Sequence, residues 1–117
     1  MKIDKSIKDQ IKQFLKHNFK GYSSCKISKK PNKDGKYEAS SNKNINVKNY
    51  KITSLTNNMF IWDTIDNFNC EYCYSLTSLK GAPEKVGEDF NCEYCNSLKS
   101  LEGMPSHIKD IIYSDIR

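Results

Sequence analysis

Residues 68–83 read FNCEYCYSLTSLKGAP, and residues 90–105 read FNCEYCNSLKSLEGMP. Twelve of these sixteen positions are identical, and the offset between the two segments is 22 residues. A fixed period of this length is typical of solenoid proteins, in which each repeat packs on the next. The two segments therefore predict a stacked architecture for the C-terminal part of the chain.

Weaker copies flank the two strong repeats. Residues 45–55 align with residues 68–79 if one residue of the turn is deleted, and residues 105–113 form a partial last copy. We therefore expect residues 44–117 to form a short stack.

Alternation within one repeat predicts a strand with one buried face. Phe68 and Cys70 alternate with Asn69 and Glu71, so the first pair is expected to point inward and the second pair toward solvent. Three further residues complete the inward wall: Cys73, Leu76 and Leu79. One unit cannot bury this wall alone, whereas stacked units can, and their strands then form a parallel sheet.

The first segment of the chain predicts an amphipathic helix that ends near Gly21. Asp4 or Ser6 is expected to cap its start. The apolar face comprises Ile3, Ile7, Ile11, Phe14 and Leu15. The opposite face carries a row of lysines, namely Lys5, Lys8, Lys12 and Lys16.

Residues 22–43 predict a β-hairpin. Residues 22–27 alternate loosely as a first strand, and Tyr37 begins the return strand after a turn at residues 31–36. Asp34 and Gly35 in this turn tolerate positive φ angles. We expect the helix and the hairpin to cap the N-terminal end of the stack.

The charge of the chain is asymmetric. Of its 19 basic and 14 acidic residues, residues 1–43 hold a net charge of +8 and residues 44–117 a net charge of −3. One hypothesis is direct nucleic-acid binding through residues 1–43, with a basic face made of Lys5, Lys8, Lys12, Lys16, Lys29 and Lys30. The alternative is a solvated lysine face over a packed apolar stripe.

Several classes of protein are disfavoured by the sequence. No apolar run approaches the ~18 residues of a membrane helix, so no membrane partner is expected. The N-terminus lacks the apolar core of a secretory signal, so we expect a cytoplasmic protein with reduced cysteines. His17 and His107 lie in different segments, and no catalytic motif accompanies them, so the sequence predicts no enzyme.

Four cysteines form a C-x2-C-x18-C-x2-C pattern, namely Cys70, Cys73, Cys92 and Cys95. This spacing is typical of a structural zinc site, and a zinc-stabilised scaffold is one interpretation. The repeat produces the same spacing automatically, however, because stacked strands place equivalent residues ~4.8 Å apart. We favour a ladder of buried thiols without metal or cofactor over zinc, and over stacked disulfides.

The pattern F-x-C-x-x-C-x-S-L-x-S-L-x-G-x-P resembles the leucine-rich-repeat-like proteins of bacteriophages and prophages. Cys73 and Cys95 match the asparagine/cysteine position of that repeat, although Ser75 and Ser97 add one residue before the leucine. The resemblance and the residue pattern together imply an α+β fold. In that fold an N-terminal amphipathic helix and β-hairpin (residues 1–43) cap a short leucine-rich-repeat-like parallel β-solenoid (residues 44–117), within a single compact domain.

The resemblance also implies a function. We expect a non-enzymatic protein-binding module, phage-encoded and located in the cytoplasm of a bacterial host. Its partner would be a host protein or protein–nucleic acid complex, such as a CRISPR or other antiviral effector that it inhibits.

The expected binding surface is the outward face of the sheet and the adjoining turns. It comprises Asn46, Lys48, Asn69, Glu71, Asn91, Glu93 and Tyr113, flanked by Tyr72, Tyr74 and Tyr94. The alternative is that these residues are only the polar surface of a repeat. At the C-terminal end, Ile111, Ile112 and Ile116 either cover the last rung or form a homodimer contact.

Overall fold

The structure is a computed structural model that describes residues 6–113, with side chains described to residue 111. The elements are α1 (Ile7–Asn18), β1 (Phe19–Lys20), a 3-10 turn (Tyr22–Ser24), β2 (Lys26–Ile27), β3 (Tyr37–Val47), β4 (Phe60–Asn69), β5 (Lys85–Cys92) and β6 (His107–Tyr113). Four residues with predicted roles lie outside the described range: Ile3, Asp4, Lys5 and Ile116.

Helix α1 begins where the sequence predicted. The Ser6 hydroxyl accepts a hydrogen bond from the Asp9 backbone N–H at 3.2 Å, which confirms Ser6 as the N-cap. Ile11 and Leu15 are buried, as predicted. Ile7 is 48% exposed, so its assignment to the buried face was wrong. Burial of α1 against the core begins one turn later, at Ile11.

The hairpin forms, but with a shorter first strand than predicted. β2 pairs antiparallel with β3, and Ile27 lies opposite Ala39. The prediction of a strand from residue 22 was wrong, because Tyr22–Ser24 form a 3-10 turn closed by a hydrogen bond from the Ser24 N–H to the Gly21 carbonyl. Gly35 in the hairpin loop has the predicted positive φ.

The main sheet has the strand order β1-β3-β4-β5-β6, and β2 also pairs with β3. Strands β3 to β6 are parallel, with Ile45 beside Phe68, Phe68 beside Phe90, and Phe90 beside Ile111. This register confirms the predicted alignment of the repeats. The strands form a β-solenoid of about three turns, capped by the helix and the two short strands.

Strand β3 joins the cap to the stack. It runs from Tyr37 to Val47, so the division between residues 43 and 44 falls within it. β1 and β2 pair antiparallel with β3, and β4 pairs parallel with it. The basic segment is therefore attached to the first rung along a shared strand.

Aromatic rings fill the core between the cap and the rungs. Phe68 stacks on Phe90 with centroids 5.8 Å apart, and Phe19 of β1 packs edge-on against Trp62 at 5.1 Å. The Trp62 indole N–H donates to the Leu55 carbonyl at 2.7 Å, so its polar atom is satisfied although the ring is buried. The single tryptophan is thus a core residue.

Every parallel strand pair contains a register shift near the middle of its strands. The shifts lie at residues 39–44 between β3 and β4, at 65–68 between β4 and β5, and at 86–89 between β5 and β6. Stacked bulges of this kind bend each strand. The C-terminal halves of the strands carry the predicted binding residues.

Candidate binding surface

Polar residues of equivalent position lie side by side on the outer face of the sheet. β1 places Lys20 opposite Asn46, and the parallel register places Asn46 beside Asn69 and Asn69 beside Asn91. We call this set the asparagine row. The structure therefore brings together three residues of the predicted surface that are 45 positions apart in the chain.

The asparagine row also shapes the turns that follow the strands. The Asn69 side-chain oxygen accepts the Glu71 N–H at 2.8 Å, and that of Asn91 accepts the Glu93 N–H at 2.9 Å. These side chains close the same turn in successive rungs. Glu71 and Glu93 are half-buried beside them.

Three exposed tyrosines follow these turns: Tyr72, Tyr74 and Tyr94. We call them the tyrosine edge. The rings of Tyr72 and Tyr94 stack with centroids 5.0 Å apart and an interplanar angle of 10°, and the Tyr74 ring lies 6.2 Å from that of Tyr72. Exposed fractions are 40%, 50% and 43% in chain order. Desolvation, followed by the charge of Glu71, raises the pKa of Tyr72, so its hydroxyl stays protonated near neutral pH.

The backbone at two of these tyrosines is left-handed. Tyr72 has a φ of 65° and Tyr94 a φ of 60°. Such a conformation costs an L-residue about 1–2 kcal/mol, and only glycine and asparagine adopt it readily. The Tyr72 N–H donates to the Glu93 carbonyl at 2.9 Å, which ties this turn to the next rung. An exposed aromatic ring thus occupies a position where glycine or asparagine would be less strained.

The predicted basic face is divided by the fold. Lys12 and Lys16 are exposed along α1, whereas Lys8 is half-buried, with its ammonium 5.7 Å from the centroid of the Tyr37 ring. Lys29 and Lys30 are exposed in the loop after β2.

A groove that the sequence did not predict runs between the cap and the tyrosine edge. It has a volume of about 280 Å³ and is lined by Lys20, Asn46, Val47, Lys48, Tyr50, Asn69, Glu71 and Tyr72. A second depression of about 280 Å³ is lined by Gln13, Lys16, His17 and Lys48. The two share Lys48 and are therefore adjacent, and we call them together the basic–aromatic groove. Lys20 and Tyr50 are among its members that the sequence did not predict.

The buried side chain of Asn18 fixes the geometry of this groove. Its amide N–H donates to the Phe14 carbonyl at 2.9 Å, and its side-chain oxygen accepts from Asn49 at 2.8 Å. The Asn18 backbone carbonyl accepts the Lys48 N–H at 2.8 Å. The C-terminus of α1 is thereby joined to the turn that carries Lys48 and Tyr50.

The four cysteines of the repeats are free, and all four are buried in the core. Their environment favours protonated thiols. Burial raises the pKa of Cys92 to about 12, and contact with Cys95 together with burial raises the pKa values of Cys70 and Cys73. Hydrogen bonds from Cys70 and Cys73 lower the pKa of Cys95, so it is the first of the group to ionise. Its sulfur nevertheless lies 3.0 Å from the Cys70 carbonyl oxygen, to which only the protonated thiol can donate.

Within residues 6–113, no group of three or more histidine, cysteine, aspartate or glutamate side chains is placed to hold a metal ion. Cys70 and Cys92 directly follow the paired residues Asn69 and Asn91, and the Cys70 backbone N–H donates to the Asn91 carbonyl at 2.8 Å.

The C-terminal strand departs from the predicted surface. β6 pairs Tyr113 with Cys92, and Ile112 with Asn91. The sequence predicted Tyr113 on the same face as the asparagine row, but the register places Ile112 in line with that row. The side chains of these two residues lie outside the described part. Ile111 and Ile108 are half-buried at the last rung.

Comparisons with protein-family models, with curated proteins and with solved structures give no match. In the part of the chain that the structure describes, α1 has 12 residues and no helix has the length and apolar character needed to span a membrane.

Proposed function

We propose that this chain is a non-enzymatic protein-binding module that presents the tyrosine edge to its partner. The observation that carries the proposal is the pair of exposed, stacked rings held on left-handed backbone at Tyr72 and Tyr94. Residues in sparsely populated backbone regions cluster at functional sites, where the surrounding structure maintains the strain.

The chemistry of the tyrosine edge suits a protein partner. Tyrosine is enriched in interfaces because a rigid ring with a polar tip buries a large area at a small cost in conformational entropy. Glu71 and Glu93 lie half-buried next to the rings and supply the polar rim that such interfaces have. The surface is therefore a compact aromatic patch surrounded by hydrogen-bonding groups.

The partner we propose follows from the sequence resemblance to phage repeat proteins. It is a host antiviral factor, such as a CRISPR effector, that the module inhibits by direct binding in the bacterial cytoplasm. A compact stack with exposed aromatic rings supports a role in which the bound module covers a functional surface of that factor.

Affinity capture from bacterial lysate tests this function. Immobilised protein is compared with the double variant Tyr72→Ala/Tyr94→Ala and with the control Thr77→Ala/Lys99→Ala, whose residues occupy equivalent exposed positions of the same two rungs. We expect a partner retained by the wild type and the control to fall at least about tenfold with the tyrosine variant, as for interface hot spots. Equal retention by all three proteins would refute the proposal.

A further inference from the structure

The basic–aromatic groove combines cationic side chains with exposed aromatic rings in two adjacent depressions that share Lys48. We propose that it binds single-stranded nucleic acid, with the phosphates at Lys20 and Lys48 and a base against Tyr50 or Tyr72. This proposal rests on a different observation from the protein-binding function and is tested independently of it.

The charge of the groove favours a polyanion. Lys16, His17, Lys20 and Lys48 line it, and Glu71 is its single acidic residue. The lysines are exposed and come from three parts of the chain: α1, β1 and the turn after β3. The fold, rather than a run of lysines in the sequence, therefore concentrates the positive charge.

The aromatic rings distinguish a nucleic acid from an acidic peptide. Tyr50 is 54% exposed and Tyr72 is 40% exposed, and both line the same groove as the two lysines. Grooves that bind single strands combine lysines along the backbone with aromatic rings on which bases stack. An acidic peptide would use the lysines and gain little from the rings.

The groove also provides groups for base edges. Asn46 and Asn69 line it between Lys20 and the turn that carries Tyr72. Side-chain amides offer both donors and acceptors of hydrogen bonds. Asn18 holds the helix end and the Lys48 turn together, so the cationic and aromatic walls are positioned before binding.

The test is fluorescence anisotropy with fluorescein-labelled 12-nucleotide oligothymidine and oligouridine in ~50 mM NaCl. We expect the binding constant to fall linearly with salt on a logarithmic plot, with a slope of about −0.7 for each phosphate neutralised. Lys48→Gln should weaken binding and make this slope shallower by about 0.7. Tyr50→Ala should weaken binding roughly five- to a hundredfold without changing the slope, and Tyr50→Phe should keep the wild-type affinity.

Controls separate the groove from general electrostatics. Lys85→Gln removes an exposed charge at the start of β5, outside the groove, and should leave the affinity unchanged. The double variant Lys29→Gln/Lys30→Gln tests the hairpin loop, and a larger loss there than with Lys48→Gln would overturn the proposal. Circular dichroism of each variant shows whether the fold is intact.

Three further outcomes overturn the proposal. The first is the absence of binding at ~50 mM NaCl. The second is a 12-base-pair duplex that binds as tightly as the single strand and is insensitive to Tyr50→Ala, because its bases cannot stack on the rings. The third is displacement by polyglutamate of equal charge combined with no effect of Tyr50→Ala, which would identify an acidic-peptide surface.

Discussion

At the scale of single residues, left-handed backbone occurs at two kinds of turn position. Some are glycines that the packing of the rungs requires, and others are the exposed tyrosines of the candidate binding surface. Gly103 has a φ of +95°, and a Cβ there would lie 2.5 Å from the Lys80 nitrogen and 2.6 Å from the Leu79 carbonyl carbon in the adjacent rung. Glycine is thus required for close approach of two rungs. Tyr72 and Tyr94 also have a positive φ, but there the residue carries a ring that is 40% or 43% exposed.

Gly103→Ala should destabilise the protein far more than Gly35→Ala. Gly35 also has a positive φ, but a Cβ there has no atom within 4 Å, so its substitution adds only the backbone strain of about 1–2 kcal/mol. Gly103→Ala adds a clash with neighbouring backbone, and we expect a loss of about 2–5 kcal/mol. Urea unfolding followed by Trp62 fluorescence measures both. Equal losses of stability would show that the close contact between rungs is not the reason why position 103 requires glycine.

The sequence predicted residues whose role is local. Ser6 as N-cap and Gly35 in the hairpin loop depend on their own backbone and on neighbours three or four positions away, and both are confirmed. Lys20 and Tyr50 escaped prediction because their role depends on contacts across the fold. Lys20 enters the groove only through the pairing of β1 with β3.

At the scale of elements, the junction between α1 and the turn after β3 depends on one buried amide. Asn18→Ala would leave the Asn49 side-chain N–H and the Phe14 carbonyl without their partner. An unsatisfied buried polar group costs about 1–3 kcal/mol, so we expect a loss of this size in the free energy of unfolding. Asn96→Ala, at an exposed position, is the matched control and should change stability by less than about 0.5 kcal/mol. Similar losses of stability for both variants would show that the Asn18 amide does not hold this junction together.

The buried thiols of Cys25 and Cys92 should make the free energy of unfolding fall at alkaline pH. Burial raises the pKa of Cys25 to about 11 and that of Cys92 to about 12, whereas an unfolded thiol ionises near 9. Below pH 9 the thiols stay protonated in both the folded and the unfolded state, and their full contribution to the free energy of unfolding is present. As the pH rises from 9 to about 11, only the unfolded state loses these protons, and the free energy of unfolding falls by about 1.4 kcal/mol per pH unit for each thiol.

Denaturant midpoints between pH 7 and 10.5 measure this dependence. The comparison with Cys92→Ala isolates one thiol, because lysine and tyrosine titration is common to both proteins. The variant should be less stable at pH 7, and the difference from the wild type should narrow above pH 9. A chelator should leave the melting temperature of the wild type unchanged. A lower melting temperature in the chelator would instead support the zinc-stabilised scaffold.

The sequence repeat predicted the long strands of the stack, whereas the short strands of the cap have no sequence pattern that predicts them. Parallel pairing of β4 with β5 follows from the Phe-Asn pair that both strands carry near their C-terminal ends, since these equivalent residues stack. β1 and β2 have two residues each, which is too short for any periodicity. The bulges arise because the inward residues Ile65 and Phe68 are three positions apart, whereas Val86 and Phe90 are four apart. That difference is present in the sequence as an irregular spacing between repeats.

At the scale of the whole molecule, the fold places the basic segment and the repeat stack on opposite sides of β3. Residues 1–43 carry a net charge of +8, and the remainder carries −3. The basic–aromatic groove lies at their junction, where Lys20 of the cap lines one depression together with Asn69 and Tyr72 of the stack. A site built from both parts cannot be located from either segment alone, which explains why the sequence predicted the fold better than the surface.

The stack itself should accept an additional rung. Insertion of a second copy of residues 68–89 directly before Phe90 keeps the 22-residue period, so each phenylalanine meets its equivalent in the next strand. Stability of a solenoid is approximately the sum of its repeats and their contacts, so the extended protein should unfold at a higher urea concentration. Its unfolding should also have a steeper urea dependence, because more surface becomes exposed.

The control for this extension is the same insertion without its copy of Asn69. The 21-residue insert shifts strand alternation by one position and turns inward residues of the new rung toward solvent. We expect this protein to be less stable than the wild type, with exposed apolar surface that binds a hydrophobic dye. If the 22-residue insertion were equally destabilising, the rungs would depend on contacts specific to their place in the chain. The period would then reflect sequence duplication without structural equivalence.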